Sequence, residues 1–480
     1  MRVRRTWPYE FIFMPATRPP TAVAGRSRWT AGGRDDDGLV SCPADTGLAA
    51  SCPTRPGPGT VKRGSYRPMQ MSIELLTGAT MPTHPLPAEC AGSAFATLTE
   101  ESTMTRYLSR PLLLGVSLLL SSAIAHAATV FTGDKIEGVP VITRLDVADL
   151  AAGKAHRFMF RTSETSIGQY WYVPVMVAKG ARPGKRVLLV AGVHGDELNP
   201  VAAVQETMAL LDPTSMSGTV IGIMGASPPS LMNITRTWTI NDLGGAQINP
   251  NRTWPGREDG NTVERHSWLI TNQLIKGNVD AAVDHHTGGT GTDFAKFLFV
   301  YGDSPESIQL AKLFPTDQIM LDPGYPGTLE YSLVKAGIPA VTTELGGARK
   351  FVPEMVKMGV DGNMNVLIHY GIVAGPMRRT SADTSVFIGN DLESVRAVAG
   401  GFLTLQVKLN DTVSKGQRVA VQRNSFGDVV HEYRATADGR VAIVGSDAAS
   451  ERGSEILTLL VNRSDCGAKA CESGKGPPKE

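Results

Sequence analysis

Short apolar runs alternate with helix-length segments from residue 185 to residue 370, and this alternation limits the possible fold more than any other feature. Strands are predicted at 187–190, 218–224, 279–283, 297–301 and 340–344. Helices are predicted at 199–211, 262–275, 305–314, 329–336 and 353–370. This order predicts an α/β fold, a mainly parallel mixed sheet flanked by helices, with extra antiparallel strands from 157–160 and 170–177 at one edge. Ligands of such sheets bind beyond the carboxyl ends of the strands.

Two of the predicted strands lead into residues that can bind a metal ion. The first continues into AGVHGDE, which places His194 and Glu197 three residues apart where the strand turns. The second ends in DHHTGG, where strand alternation places His286 on the same side as Asp284 and leaves His285 as the alternative. Two imidazoles and one carboxylate, with a position left for water, form a ligand set of catalytic zinc sites. A hydrogen-bonded histidine on a loop is the competing interpretation of the first motif.

Four segments in a fixed order resemble the motifs of a known family. GVHGDE at 192–197, NRTWPG at 251–256, DHHTGG at 284–289 and TTELGG at 342–347 are similar to those of the succinylglutamate desuccinylase and aspartoacylase family, a branch of the zinc carboxypeptidase superfamily. The resemblance extends over residues 186–375. It implies one zinc ion per chain, held by His194, Glu197 and His286. Asp284 would then orient a ligand or, alternatively, cap backbone amides.

The same resemblance implies roles for residues in the other segments. Glu344, at the end of its predicted strand, is implied to be the general base and acid that passes a proton from water to the leaving nitrogen. Arg236 resembles the family's upstream arginine, which steadies the oxyanion. Asn251 and Arg252 form the substrate-binding element, because a guanidinium beside an amide can bind a free carboxylate next to the scissile bond.

These expectations combine into one predicted activity and two alternatives. We expect a zinc-dependent amide hydrolase that releases an acyl group from an N-acyl amino acid or related small amide. The alternatives are a metallocarboxypeptidase acting on peptides or cell-wall peptides, which would use the same residues, and a non-catalytic ligand-binding protein. The substrate is expected to be a small amide or short peptide that carries a carboxylate. Two points stay open: which of Tyr325 and Tyr331 approaches the substrate, and the oligomeric state.

The amino-terminal part of the sequence has the pattern of an exported bacterial protein. Residues 1–103 contain Arg, Pro, Gly and Ser clusters without periodicity, which predicts a disordered or mis-assigned leader. Residues 104–127 have a basic start, an apolar stretch too short to span a bilayer, and an Ala-His-Ala end, which together predict a signal peptide. We therefore expect translation to begin at Met104, the mature chain to begin near Ala128, and a periplasmic or secreted location. A buried helix or a membrane anchor is the alternative.

The carboxyl-terminal part is expected to form a separate module. Residues 128–378 would be the catalytic domain, 379–462 a small all-β domain, and 463–480 a disordered tail in which Cys466 and Cys471 could form a local disulfide. The β domain resembles the barrel-sandwich hybrid of biotinyl and lipoyl domains. Its predicted hairpin tip at 430–435 has no lysine to modify, so we interpret it as a structural or substrate-gating appendage.

The charge balance excludes partners that bind through bulk electrostatics. With 47 basic and 46 acidic residues the chain has a formal net charge of +1, so no field favours nucleic acid or an anionic membrane surface. No membrane span is expected after signal cleavage.

Overall fold

The computed structural model describes residues 128–242, 244–466 and 471, so the predicted leader, the predicted signal peptide and most of the tail lie outside the described residues. The α-helices among them are α1 (Asn199–Leu210), α2 (Pro228–Asn233), α3 (Thr262–Leu269), α4 (Pro305–Lys312), α5 (Leu329–Lys335) and α6 (Pro353–His369). A π-helical segment, Ile270–Ile275, continues α3. Within the described part of the chain, no helix has the length and apolarity needed to cross a membrane.

Most of the strands up to residue 347 belong to the central sheet. The strands of this part of the chain are β1 (Val130–Ile136), β2 (Val139–Arg144), β3 (Lys154–Glu164), β4 (Tyr170–Lys179), β5 (Arg182–Val190), β6 (Ser217–Ile223), β7 (Trp238–Ile240), β8 (Ala246–Ile248), β9 (Ala281–His286), β10 (Thr292–Tyr301), β11 (Gln318–Asp322) and β12 (Ala340–Gly347). Strands β7 and β8 form a small sheet of their own.

The centre of the large sheet is parallel, as predicted. Strands β6, β5, β9 and β12 lie side by side in this order and run in one direction. Strand β10 pairs antiparallel with β12 and parallel with β11. On the other side, β4 pairs antiparallel with β6, and β3 with β4. The predicted mixed sheet with an antiparallel edge is therefore confirmed, except that β2 and β3 pair in parallel.

Helices cover both faces of the sheet because successive residues of its strands point to opposite sides. Val187 and Leu189 of β5 belong to the core formed with α1, α4 and α6. Leu188 and Val190 belong to the opposite core, with the π-helical segment and α5. All four side chains are at most 1% exposed. Burial of one such side chain contributes about 1.5–3 kcal/mol, so β5 is held firmly from both sides.

The carboxyl-terminal strands are divided between the central sheet and a second, smaller sheet. They are β13 (Phe387–Gly389), β14 (Asp391–Arg396), β15 (Gly401–Leu405), β16 (Thr412–Val413), β17 (Arg418–Arg423), β18 (Val429–Arg434), β19 (Gly439–Gly445), β20 (Ala449–Ser450) and β21 (Glu455–Val461). Strand β19 pairs antiparallel with β10, so β19, β21 and β14 extend the central sheet, while β15, β17, β18 and β20 form a second sheet. The barrel-sandwich assignment stays a prediction. Cys466 and Cys471 form a disulfide.

Helix α3 contributes a buried histidine that is not one of the predicted metal ligands. His266 is 2% exposed; its Nε2 donates to the carbonyl oxygen of Ala226 at 2.7 Å, and its Nδ1 lies 2.9 Å from the hydroxyl of Thr162. Burial lowers the pKa of His266 to about 4, although the contact with the Ala226 carbonyl opposes this shift. The folded protein therefore keeps this imidazole neutral.

This neutral histidine predicts a loss of stability in mild acid. Between pH 6.5 and about 4 the unfolded chain binds a proton at His266 that the folded chain excludes, so the free energy of unfolding falls as the pH falls. In His266→Gln we expect the slope of unfolding free energy against pH in this window to decrease by up to about 1.4 kcal/mol per pH unit. Urea unfolding at several pH values measures the slope. The exposed His431, replaced by Gln, is the control, and an unchanged slope in His266→Gln would contradict the prediction.

Candidate metal centre

The turn after β5 presents His194 and Glu197 from one tightly packed loop. Both side chains are buried, at 2% and 1% exposed. Gly195 lies between them against α2, and a Cβ atom at this position would lie 1.9 Å from the backbone carbon of Ser230. Its amide donates to the carbonyl oxygen of Thr235 at 2.9 Å. Only glycine fits this contact, which fixes the loop that carries the two side chains.

Parallel pairing of β9 with β12 places His286 beside Glu344. His286 is the last residue of β9, as predicted, but Glu344 lies inside β12, which continues to Gly347, so the prediction that Glu344 ends its strand is wrong. The reason is that β12 has two partners. Its pairing with β9 ends at Glu344, while its antiparallel pairing with β10 continues as far as Gly347.

The three predicted metal ligands meet at one point. Nδ1 of His194 lies 3.2 Å from Nδ1 of His286. The carboxylate of Glu197 faces both rings, with Oε1 2.8 Å from Nδ1 of His194 and Oε2 2.8 Å from Nδ1 of His286. One ligand atom from each residue lies within 4.8 Å of the others. Residues separated by 92 positions in sequence thus share a single buried centre.

The second nitrogen of each ring is oriented by a neighbour. Nε2 of His194 lies 3.0 Å from Oδ1 of Asn249, an oxygen that can only accept, so Nε2 carries the hydrogen. Nε2 of His286 lies 3.1 Å from Oδ2 of Asp284, an ion-pair distance, although neither oxygen of Asp284 has a hydrogen-bond partner within the described residues. In both rings an oxygen atom beside Nε2 favours the hydrogen on that nitrogen, so Nδ1 of a neutral ring keeps its lone pair. Metal-binding histidines are oriented through their second nitrogen in this way.

These donor atoms fit a divalent metal ion. If both rings carry their hydrogen on Nε2, two Nδ1 lone pairs face an anionic carboxylate, and this contact is repulsive unless a cation or a proton lies between them. Burial would raise the pKa of Glu197, but His194 and His286 outweigh burial and lower this pKa well below its ordinary value. The carboxylate therefore stays ionised, and nitrogen and oxygen donors converge as in known divalent metal sites.

His285 takes no part in this centre. Its Nδ1 lies 2.8 Å from the hydroxyl of Thr343, and its Nε2 lies 2.9 Å from Oδ1 of Asn363 on α6. Burial lowers the pKa of His285 to about 4. Of the two adjacent histidines, only His286 reaches His194 and Glu197, as alternation along the strand predicted.

Glu344 lies in the same cavity as the three ligands. Its side chain is 8% exposed, and Oε2 has no hydrogen-bond partner within the part of the chain that the structure describes. Burial raises the pKa of Glu344 to about 8, against the lowering effect of His286. A carboxyl group with such a pKa can both accept and donate a proton near neutral pH, as general acid–base catalysis requires.

The predicted substrate residues also line this cavity. Nη1 of Arg236 lies 2.8 Å from Oε1 of Glu197 and 3.2 Å from Nδ1 of His194, so the guanidinium reaches the ligands themselves. Nδ2 of Asn251 lies 3.3 Å from Nε2 of His286, and Nη1 of Arg252 donates to the carbonyl oxygen of Asn251 at 2.8 Å. The structure brings all three residues to the candidate centre, and their contacts with a substrate remain predictions.

The cavity has a volume of about 370 Å³ and includes side chains from distant parts of the chain. Tyr325 lines it, whereas the ring of Tyr331 packs edge-on against Tyr301 at 5.6 Å, so position now distinguishes the two tyrosines. Arg396 and Glu455, from β14 and β21, line it as well. The carboxyl-terminal strands therefore form part of the cavity wall.

Sequence reasoning missed several residues of this site. Asn249 lies two residues before Asn251, and its side chain caps the short 3-10 turn Pro250–Arg252, so the same segment could have indicated it. Asp322, Glu330 and Arg396 line the cavity but belong to no recognised motif. Asp322 is on β11, Glu330 on α5 and Arg396 on β14, and pairing of β10 with β11 and β19 helps to bring these separate elements around one cavity.

Known proteins resemble the part of the chain that carries this site. Residues 183–370 match the model of the succinylglutamate desuccinylase/aspartoacylase catalytic domain. The chain is 29% identical over 300 residues to the N-alpha-acetyl-L-2,4-diaminobutyric acid deacetylase of Halomonas elongata, which covers 60% of this chain and 85% of the relative.

Solved structures share the fold. The product-bound ectoine utilization protein of Ruegeria pomeroyi aligns with a TM-score of 0.57 and 24% identity, over 65% of this chain and 98% of that protein. A succinylglutamate desuccinylase from Silicibacter sp. TM1040 aligns with a TM-score of 0.57 and 23% identity, over 66% of this chain and 98% of that protein.

The tight packing of Gly195 predicts that a single methyl group will disturb the centre. In Gly195→Ala the new Cβ would overlap the backbone at Ser230, so the loop must move and His194 and Glu197 with it. We expect a stability loss of about 1–3 kcal/mol or more, and weaker binding of divalent ions. Thermal unfolding and calorimetric titration with zinc measure the two effects. Gly400→Ala is the control, because its Cβ would meet its nearest atom at 3.7 Å. Unchanged stability and ion affinity in Gly195→Ala would contradict the prediction.

Proposed function

We propose that the protein is a zinc-dependent amide hydrolase that removes the acyl group from an N-acyl amino acid, and the match of residues 183–370 to the succinylglutamate desuccinylase/aspartoacylase catalytic-domain model supports this proposal. The convergence of His194, Glu197 and His286 beside Glu344 carries this proposal. A binding protein without catalysis would need the ligands, whereas the buried carboxyl group of Glu344 in the same cavity supplies a group that can transfer protons.

The proposed ion supplies one part of the chemistry. Zinc bound by two imidazoles and one carboxylate lowers the pKa of a coordinated water and polarises the scissile carbonyl group. The protein supplies the proton transfers. Glu344 accepts a proton from the attacking water and, with its raised pKa, returns it to the departing nitrogen, which would otherwise leave as an unstable amide anion.

Two arginine side chains would orient the substrate. Arg236 contacts Glu197 and lies at the edge of the ligands, where a guanidinium would stabilise negative charge that develops on the carbonyl oxygen. Arg252 lines the cavity beside Asn251, and a guanidinium binds a carboxylate with two parallel hydrogen bonds. In an N-acyl amino acid the carboxylate carbon is two bonds from the scissile nitrogen. When that nitrogen lies beside the metal ligands, the carboxylate would therefore be close to Arg252 and Asn251.

Two observations favour a small amide over a peptide as the substrate. The cavity volume of about 370 Å³ lies near the lower end of the range of about 300–1,000 Å³ for small-molecule sites. Arg396 and Glu455 of the carboxyl-terminal strands form part of its wall, so that part of the chain helps to bound the space for a substrate. The relative from Halomonas elongata is named for a substrate of the N-acyl amino acid class.

Two substitutions separate the ligands from the proton-transfer group. Glu344→Gln should keep bound zinc but lose at least about 100-fold in kcat, because it cannot take up a proton. His286→Ala should lose zinc and activity together, because one of three ligands is removed. Metal analysis of the purified proteins and amine release from N-acetyl and N-succinyl amino acids provide the two measurements.

The same assay decides between the candidate activities. Dipeptides and cell-wall tripeptides are included in the substrate panel, and preferential cleavage of these peptides would favour the metallocarboxypeptidase. Zinc binding without turnover of any substrate would favour the non-catalytic alternative. Full activity of Glu344→Gln would overturn the role given to this residue.

We also propose that the protein acts in the periplasm or outside the cell. The signal-peptide pattern at 104–127 supports this, and the disulfide between Cys466 and Cys471 is suited to an oxidising compartment.

Export predicts a defined mature amino terminus. When the gene is expressed in a Gram-negative host, we expect the protein in the periplasmic fraction with an amino terminus near Ala128, determined by Edman sequencing. Replacing two leucines of the apolar 112–124 stretch by arginine should retain the precursor in the cytoplasm. Accumulation of the unprocessed chain in the cytoplasm without that change would contradict export.

A further inference from the structure

Two buried acidic side chains line the cavity but do not belong to the proposed metal ligands. Asp322 ends β11 and is 2% exposed, and Glu330 lies in the first turn of α5 and is 4% exposed. Both line the cavity that contains Glu344. Strand pairing places Asp322 beside Tyr301, and the amide of Tyr301 donates to Oε1 of Glu330 at 3.2 Å. The two carboxyl groups therefore flank one residue and form an acidic pair.

The contacts of this acidic pair do not explain its burial. Asp322 accepts a hydrogen bond from the amide of Gly324 at 2.7 Å, and Glu330 accepts the one from Tyr301. Within the described residues, no lysine, arginine or histidine forms an ion pair with either carboxyl group. Burial raises the pKa of Asp322 to about 7 and, together with the charge of Asp322, raises the pKa of Glu330 well above its ordinary value. Two adjacent buried acids without a cation are costly to keep ionised.

The rest of the cavity is arranged for a polar ligand of mixed charge. Arg252 and Arg236 supply positive charge beside the metal ligands. Glu344 is nine-tenths buried in the same cavity, and its Oε2 has no hydrogen-bond partner in the described part of the chain. This unsatisfied oxygen is an observation separate from the acidic pair, and it indicates that the cavity takes up a polar molecule. Such a molecule would meet guanidinium groups at one place and carboxyl groups at another.

We infer that Asp322 and Glu330 bind a protonated amino group on the side chain of the substrate, so that the substrate class is an N-acylated diamino acid. The inference rests on the proposed function, since it names the substrate of the same cavity. An ammonium group has three donors and no acceptor, which suits two carboxylates that each already accept one backbone hydrogen bond. The bound cation would favour the ionised pair, and the substrate carboxylate would remain with Arg252.

Matched ligands test this inference without requiring turnover. L-2,4-diaminobutyrate and L-norvaline, like L-ornithine and L-norleucine, differ only in an ammonium group that replaces a terminal methyl. We expect the cationic member of at least one pair to bind the zinc-loaded protein about 10- to 100-fold more tightly in calorimetry, as for hydrogen bonds to charged groups. Equal binding of both members in both pairs would overturn the inference.

Substitution of the acidic pair provides the second arm. In Glu330→Gln and in Asp322→Asn the cationic ligand of each pair should bind no more than about threefold more tightly than its apolar partner. The reason is that a neutral amide cannot offset the buried ammonium charge. Asp361→Asn is the matched control, because Asp361 of α6 is also buried but forms ion pairs with Lys357 and Arg378. Asp361→Asn should keep the native ratio of affinities for the cationic and the apolar ligand. A native ratio retained in both Glu330→Gln and Asp322→Asn would overturn the inference.

Kinetics of the N-acetyl derivatives separate the two proposals. If the derivatives are hydrolysed with the same preference for the ammonium side chain, both proposals hold. Hydrolysis without this preference leaves the amide hydrolase intact and overturns the acidic pair as the specificity element. Preferential binding of the diamino acids without hydrolysis of any derivative supports the acidic pair and overturns the hydrolase.

Discussion

Parallel pairing of β5, β9 and β12 is the constraint on which the candidate centre depends. Val190 pairs with Asp284, and His286 pairs with Glu344, so the ends of neighbouring strands fix the spacing of the chemical groups. Each strand is buried on both faces, and the main-chain ladder cannot slip by one residue without turning His286 into the opposite core. The position of the proposed ion is thus set by backbone register before any side chain contributes.

Much of this centre follows from sequence because its motifs coincide with strand ends. AGVHGDE follows β5 directly, and the distance between His194 and Glu197 is a local property of the turn. The choice of His286 over His285 also follows locally, from the alternation of side chains along β9. Predicted helices agree with the observed ones to within a few residues, because apolar periodicity records burial on the two faces of a sheet.

Other parts of the site could not be obtained in this way, because they depend on long-range pairing. Asp322 and Glu330 come together only because β11 pairs with β10, and neither residue has a periodic or motif signal of its own. Glu344 was expected at a strand end because its sequence is followed by Leu-Gly-Gly, yet β10 holds β12 extended beyond it. The sequence after residue 378 predicted strands correctly but contained no sign that β19 would join β10.

The electrostatics of the centre give a reason why one divalent ion suits it better than protons. Glu197 is 1% exposed and faces two imidazoles, with a guanidinium at 2.8 Å from its Oε1. A proton shared between Glu197 and either ring would satisfy one contact and leave the second Nδ1 directed at an oxygen or at the other ring. An ion at the point of convergence satisfies both lone pairs and the carboxylate at once. The desolvation already spent on burying these groups in the folded chain then favours metal affinity, because the donors are gathered at one point before the ion binds.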